Sequence, residues 1–317
     1  MVAKYGLLFP GQGAQQVGMG ADFADRNSAA AELFAEADQV LGMELAKLCF
    51  DGPLEQLTRT DIAQPAIYVC SLAALAAINQ ELGEDIVPGM CAGLSLGEYT
   101  ALAAAGALSF ADGLRLVHLR GTAMQSASEL KPSSMSSVLG MERAQLEDLC
   151  AQVADNTGLI CQVANLNSPG QVVVSGELAA LDAFEPMALA AGARRVMRLN
   201  VGGAFHSEVM RPAAVELAAA LDQTRFEPPT CPVWQNATAT AESDPDILRA
   251  NLIAQLCAPV MWEDSFRAMA AAAGDTPFIE LAPGKVLSGL ARKIARDAKI
   301  ISVPSAESLE ESLLELH

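Results

Sequence analysis

The stretch Ile86-Val-Pro-Gly-Met-Cys-Ala-Gly93-Leu94-Ser95-Leu96-Gly97-Glu98-Tyr99-Thr-Ala-Leu-Ala-Ala-Ala-Gly-Ala-Leu108 runs from a short apolar segment, through a serine between two glycines, into an alanine-rich segment. Ile86 to Gly93 predicts a strand and Gly97 to Leu108 a helix, so the serine stands at the strand-to-helix turn. Gly93-Leu94-Ser95-Leu96-Gly97 fits the nucleophile-elbow pattern G-x-S-x-G. In that pattern a sharp turn lifts a serine hydroxyl off a sheet and the glycines relieve crowding. A plainer use of the same residues is a capping box, because Ser95 and Glu98 also form S-x-x-E.

Working outward, Tyr5 to Phe9 is a second apolar run, closed by Pro10 and followed by Gly11-Gln12-Gly13, which predicts a buried strand entering a tight loop. A helix is expected from Phe110 to about Met124, with Ser109 as N-cap and Asp112 as its acid. Further along, a strand is expected around Pro232 to Asn236, helices at Pro245 to about Leu256 and Phe266 to Ala272, a strand at Phe278 to Leu281, and a helix after Pro283-Gly284. Strands alternating with helices argue for a mainly parallel sheet.

Between Ser133 and Val201 the order changes to strand, helix, strand, turn, strand, helix, strand. The segments are Ser136 to Met141, Glu142 to Asp155, Leu159 to Asn165, Ser168-Pro169-Gly170, Val172 to Ser175, Leu178 to Ala191 and Arg195 to Val201, with Pro186 an unfavourable residue inside the second helix. The expected fold is therefore α/β: an α/β-hydrolase-like large domain with a mainly parallel sheet, residues 1–130 and 202–317, carrying an inserted ferredoxin-like (βαββαβ) small subdomain at 131–201.

The 317 residues are 51% hydrophobic, which excludes intrinsic disorder, and the net charge of −18 repels nucleic acid and anionic membrane surfaces. Seven cysteines contain no C-x-x-C pair, so neither a disulfide framework nor a thiolate metal site is indicated. Only His118, His206 and His317 exist, and a three-histidine metal centre would have to recruit the last residue of the chain. No apolar run approaches the roughly 18 residues that span a bilayer. The N-terminus leaves no room for a signal peptide, so a cytoplasmic location is expected, or a plastid stroma if a transit peptide has been removed.

A serine needs a base to remove its proton. His118 lies within the predicted Phe110 helix, whereas His206 lies in the loop Gly202-Gly203-Ala204-Phe205-His206-Ser207 at the junction of the two expected domains, where ligand clefts form. Nucleophile before histidine is also the α/β-hydrolase order. No acid announces itself to orient the histidine. A backbone or amide carbonyl could do so, and the weaker support would matter least for a thioester, whose thiol leaves readily. Gly11-Gln12-Gly13 fails the dinucleotide pattern, since the next glycine is Gly18. Its other use is to bring a backbone N–H to the serine, beside the N–H of the residue after the nucleophile, as an oxyanion hole. One such donor is worth about 3 to 4 kcal/mol.

Six collinear segments resemble malonyl-CoA:acyl carrier protein transacylases: Phe9-Pro10-Gly11-Gln12-Gly13, Gly93-Leu94-Ser95-Leu96-Gly97-Glu98-Tyr99, Leu119-Arg120-Gly121, Asn167-Ser168-Pro169-Gly170-Gln171-Val172, Gly203-Ala204-Phe205-His206-Ser207 and Gly284-Lys285-Val286-Leu287. The resemblance implies Ser95 as nucleophile, His206 as general base, the Gln12 and Leu96 amides as oxyanion hole, and the Gln255 main-chain carbonyl as the group orienting the histidine. It further implies Arg120 as the holder of the malonyl carboxylate and Phe205 as a residue favouring malonyl over branched extenders. Its substrates are malonyl-CoA and acyl carrier protein, with no metal or redox cofactor. Leu94 departs from the family pattern, which often has histidine before the serine.

Arg120 stands on physics as well, because a guanidinium pairs both oxygens of a carboxylate, worth about 1.5 to 3 kcal/mol. On composition alone it reads as a solvated helix arginine. Against an acidic carrier, two basic runs offer docking sites despite the charge of −18: Arg194, Arg195 and Arg198, and Lys285, Arg292, Lys293, Arg296 and Lys299. Arg292 and Arg296 have the i, i+4 spacing of one helix face. The expected assembly is a monomer with no nucleic-acid or membrane partner. The residues leave two rivals open: a thioesterase or esterase that sends the acyl group to water, and a non-catalytic carrier- or nucleotide-binding module.

Overall fold

The computed structural model describes residues 5–316. Among these described residues ten strands form two sheets. Those of the larger are β1 (Tyr5–Phe9), β2 (Pro88–Gly93), β7 (Val233–Trp234), β8 (Ala241–Glu242), β9 (Phe278–Leu281) and β10 (Ile300–Val303), in the order β10-β9-β1-β2-β7-β8. Every pairing in it is parallel except β7 with β8. The smaller sheet contains β3 (Ser133–Leu139), β4 (Cys161–Ser168), β5 (Gln171–Glu177) and β6 (Arg195–Arg198), all antiparallel, in the order β4-β5-β3-β6.

The registers set the site. Phe9 of β1 lies opposite Gly93 of β2, and Ala92 of β2 opposite Trp234 of β7. The three strands therefore end side by side, and the residues that follow them emerge at one edge. In open parallel sheets the carboxyl edge is where ligands bind.

The elements match the expected order, with shifted ends. The helix after the elbow is Gly97–Ala104, four residues short of Leu108, and turns off through Gly106 at φ 78°. The next helix runs on to Leu130, and Ser109 caps it by accepting from the Asp112 amide at 3.1 Å. The small sheet has its helices at Arg143–Thr157 and Leu178–Ala190, and Pro186 is accommodated inside the second. The final strand of that sheet stops at Arg198 rather than Val201. The helix after Pro283-Gly284 is Val286–Ile294, so Arg296 lies beyond it and does not share its face with Arg292.

The expectation that no segment is long and apolar enough to span a bilayer is corrected as well. The Thr60–Leu82 helix, 23 residues long with mean hydropathy 1.5, is long and apolar enough to cross a membrane. It is instead the central core helix, with 83% of its apolar window buried. It carries Ile62, Ile67, Tyr68, Val69, Ala73 and Ile78 into the main core, along with the buried polar Gln64 and Ser71. A helix covered on every side is apolar on every side, so it offers no amphipathic period to read.

The small sheet packs its two helices over a core of its own, built around Val138, Leu146, Val163, Val174, Leu181 and Phe184. Its other face joins the main core through Met135, Ala164 and Val173. Backbone bonds from Val260 N to Ala164 O (2.8 Å) and from Leu166 N to Val260 O (2.9 Å) fasten it to the larger body.

Candidate active site

Ser95 stands two residues past β2 at φ 54°, a left-handed conformation that costs a non-glycine residue about 1 to 3 kcal/mol. The turn is tight enough to forbid side chains at its flanks. A Cβ on Gly93 would lie 2.0 Å from the Gly97 carbonyl carbon, and one on Gly97 would lie 2.2 Å from the Phe9 oxygen. The capping-box alternative does not form. The residue preceding the Gly97 helix is Leu96, without a side-chain cap, and the Glu98 carboxylate turns inward to other partners.

The Ser95 hydroxyl lies 2.8 Å from His206 Nε2, and His206 Nδ1 lies 2.8 Å from the main-chain oxygen of Gln255. A carbonyl only accepts, so Nδ1 carries the hydrogen and Nε2 is left free to accept the serine proton. His206 itself sits at φ 57°. Burial, with the Arg120 charge beside it, lowers the imidazole to about 4 despite the opposing hydrogen bond to Gln255. It is therefore neutral and able to take up a proton at physiological pH. His118 is remote from this pair and lies 3.2 Å from the Asp61 carbonyl.

Arg120 is buried, not solvated. Its Nη2 donates to Ser95 Oγ (3.2 Å) and to Gln255 Oε1 (3.0 Å), its Nη1 to Gln64 Oε1 (2.7 Å), and its guanidinium lies 5.5 Å from the centre of the Tyr99 ring. Every hydrogen-bond partner is neutral.

Three residues that sequence reasoning missed complete the frame. Asn236, two residues past β7, accepts from the Ser95 amide through Oδ1 (2.6 Å) and donates to the Gly93 carbonyl (2.8 Å), holding the elbow on both sides. Gln64 anchors Arg120. Glu280, buried on β9, receives Leu287 N (2.6 Å), Ser288 N (2.8 Å) and the Ser288 hydroxyl, which fixes the start of the Val286–Ile294 helix. The one sequence signal for Asn236 was a polar Gln-Asn pair directly after an apolar strand.

Ser95 and His206 open into a cavity of about 550 Å³. Gln12, Leu94 and Phe205 line it, and Met135, Asn165 and Val173 of the small sheet form the facing wall. The Gln12 and Leu96 amides make no hydrogen bond among the described residues. Phe205 flanks the histidine on the cavity wall, and Leu94 occupies the place where a histidine would have stood. A hydroxyl shared with a neutral imidazole, next to a buried cation, is equipped to attack an activated carbonyl and to receive an acyl group bearing an anion.

Residues 7–308 match the family described as "Acyl transferase domain". A "Malonyl CoA-acyl carrier protein transacylase" of Bacillus subtilis is 41% identical over 98% of this chain and 96% of its own length. The chain belongs to the malonyl CoA-acyl carrier protein transacylase family. Among solved structures, an acyl-carrier-protein S-malonyltransferase from Bartonella henselae superposes with a TM-score of 0.93 at 37% identity, covering 99% of each chain. A malonyl-transacylase solved in complex with its type II PKS acyl-carrier protein superposes equally well, with a TM-score of 0.93 at 36% identity over 99% of this chain and 100% of that one.

Proposed function

We propose that this enzyme transfers the malonyl group from malonyl-CoA to the phosphopantetheine thiol of an acyl carrier protein through a malonyl-serine intermediate, supplying extender units for fatty acid or polyketide synthesis. The observation that carries the reading is the buried Arg120 guanidinium 3.2 Å from Ser95 Oγ, because a general acyl hydrolase has no use for a desolvated cation at its nucleophile. His206 takes the Ser95 proton as Oγ attacks the thioester, and the Gln12 and Leu96 amides receive the developing oxyanion. As the C–S bond breaks, the proton passes from His206 to the departing CoA thiol. In the second half the carrier's thiol gives its proton to His206 and attacks the ester, and the proton returns to Ser95. The Gln255 carbonyl keeps the imidazole in the required tautomer, Arg120 holds the malonyl carboxylate, and Phe205 limits the space beside it. The chemistry asks for no cofactor beyond the CoA and phosphopantetheine of its two substrates.

In this reading residues 1–130 and 202–317 form an α/β-hydrolase-like large domain, and 131–201 a ferredoxin-like insert whose strand order and separate core suit that description. The protein acts as a cytoplasmic monomer. The acidic carrier docks on the exposed Lys285, Arg292 and Lys293, since Val286 and Leu290 of the same segment line the cavity. The other basic run is less available, because Arg198 is taken up by Glu185 (2.6 Å) and Asp182 (3.0 Å).

Incubation with malonyl-CoA and no carrier tests the proposal. A single burst of CoA, with a mass gain of one malonyl group that is absent in Ser95→Ala, is expected. Steady CoA release at high turnover would identify a thioesterase instead.

A further inference from the structure

Glu98 is a fully buried acid at the site that the proposed reaction leaves without a task. Its Oε2 accepts from the Asn236 amide (2.8 Å) and from Gln255 Nε2 (3.0 Å), while its Oε1 is buried without a partner among the described residues. Gln255 Oε1 in turn accepts from Arg120, so acid, amide and guanidinium form a chain that ends at the nucleophile. Arg120 donates only to neutral oxygens and packs beside the Tyr99 ring, and its Nε has no hydrogen-bond partner among the described residues. Its charge is therefore balanced at a distance, across Gln255, by Glu98.

A malonyl group esterified to Ser95 changes that balance. Its carboxylate lies two carbons beyond the ester carbonyl, within reach of the guanidinium beside Oγ, and it supplies a contact anion. Two negative charges would then share one buried cation, and the one without direct contact is the less stabilised. Resting on the transacylase reading, we propose that Glu98 is a positioning residue that takes up a proton when malonyl is loaded on Ser95, so that the buried cluster holds the same net charge empty and loaded.

The surroundings suit an exchangeable proton. Burial raises the Glu98 carboxyl to about 7, against the lowering pull of the Asn236 and Gln255 hydrogen bonds and the Arg120 charge. Arg120, from the Phe110–Leu130 helix, is the cation acting on it, and Tyr99 is the titratable neighbour on its own helix. β1, β2 and β7, packed behind that helix, contain no carboxylate and no cation. The Thr60–Leu82 helix meets the cluster through neutral Gln64, and His206, held near 4, stays neutral around pH 7.

The sign follows from linkage. Ionised Glu98 competes with the malonyl carboxylate for Arg120, so preference for malonyl over uncharged acetyl falls as pH rises through about 7. A fall of about fivefold or more lies within ordinary coupling between sites. Glu98→Gln keeps the acceptor oxygen and removes the titration, so its malonyl-to-acetyl ratio of kcat/KM is expected to be flat from pH 5.5 to 8.5.

A second measurement needs no variant. Acyl transfer from CoA to serine releases no proton at pH 6.5, because CoA leaves as a thiol that titrates at about 8.5. Mixing the enzyme with malonyl-CoA in weak buffer containing a pH indicator is therefore expected to show uptake of a fraction of a proton per malonyl-enzyme formed, and mixing with acetyl-CoA none. Intact mass counts the acyl-enzyme in the same samples. Malonyl-enzyme forming without proton uptake, or a pH dependence of the ratio unchanged in Glu98→Gln, overturns the role of Glu98 and leaves the transacylase reading standing. If no acyl-serine forms, both fall.

Discussion

The cavity has two walls built on opposite principles. On one side, Ser95, His206, Arg120, Gln255 and Asn236 are fixed by buried hydrogen bonds that join segments far apart in the chain, and the backbone is strained at both reacting residues. On the other, Met135, Val173 and Asn165 stand on a sheet held by apolar packing on both faces, a core of its own on one and the main core, which Met135 and Val173 join, on the other. Polar networks in a low-dielectric interior tolerate no missing partner, whereas an apolar face tolerates volume-conserving change. Chemistry thus resides in the first wall and shape in the second, and single substitutions should divide the same way.

The largest effect tests the first wall. His206→Ala leaves the serine without a base and is expected to lower kcat by on the order of 10⁴-fold or more, with the fold intact by circular dichroism. In Glu98→Gln, where His206 is the titrating group left at the nucleophile, loading should hold steady from pH 8 to 5 and fall only as pH approaches 4, where the imidazole charges. The same depressed value acts on stability. The unfolded histidine binds a proton below about 6.5 while the native one resists until about 4, so His206 makes the protein less stable as pH falls through that window. Glu98, raised to about 7, gains stability over much of the same window, so the decline is read in Glu98→Gln, and stability that did not decline there would remove the argument that this wall is desolvated.

Next in size is Arg120→Ala. Losing the fork to the malonyl carboxylate is expected to reduce malonyl-over-acetyl selectivity roughly ten- to hundredfold, read from kcat/KM for the two CoA esters. A volume-conserving change on the facing wall, Met135→Leu, should alter KM only modestly. Equal effects from the two would erase the distinction between them.

Gly97→Ala probes the tightness of the elbow. The added methyl would stand 2.2 Å from the Phe9 carbonyl oxygen, a rigid strand atom, and overpacking of this kind costs about 1 to 3 kcal/mol. A lowered melting temperature with disproportionately lost activity is expected. Unchanged melting would mean that β1 and the elbow can separate freely.

The sequence discloses these regions unequally, for physical reasons. The elbow is local, so its glycine spacing can be read directly, and with three histidines in the chain the base could be found by elimination. The small sheet alternates strands and helices at ordinary lengths, so its order is readable while its ends shift by a few residues. The Thr60–Leu82 helix was not, because burial on all sides removes the period. Nor were Asn236 and Glu98, whose partners lie 141 and 138 positions away, since such bonds leave no local pattern. Arg120 looked like a surface residue, and only the resemblance to a family pointed inward.

The smallest expected effect concerns the rim where the two walls meet. Arg292 and Lys293 sit at the exposed end of the helix whose Val286 and Leu290 face the cavity, and Lys293 Nζ donates to Gln171 Oε1 (3.0 Å) at the start of β5 in the small sheet. Reversing either to Glu should raise KM for the carrier protein by up to about fivefold per residue at low salt, the usual worth of an exposed ion pair. The effect should fade above roughly 0.1 M salt, where screening acts within about 10 Å. Loading from malonyl-CoA alone should be unaffected by Arg292→Glu. Lys293→Gln separates the two tasks of its site: it loses charge and the ammonium bond to Gln171, so a defect shared with malonyl-CoA loading would mark Lys293 as a strut between the walls, and a defect confined to the carrier would mark it as part of the docking face.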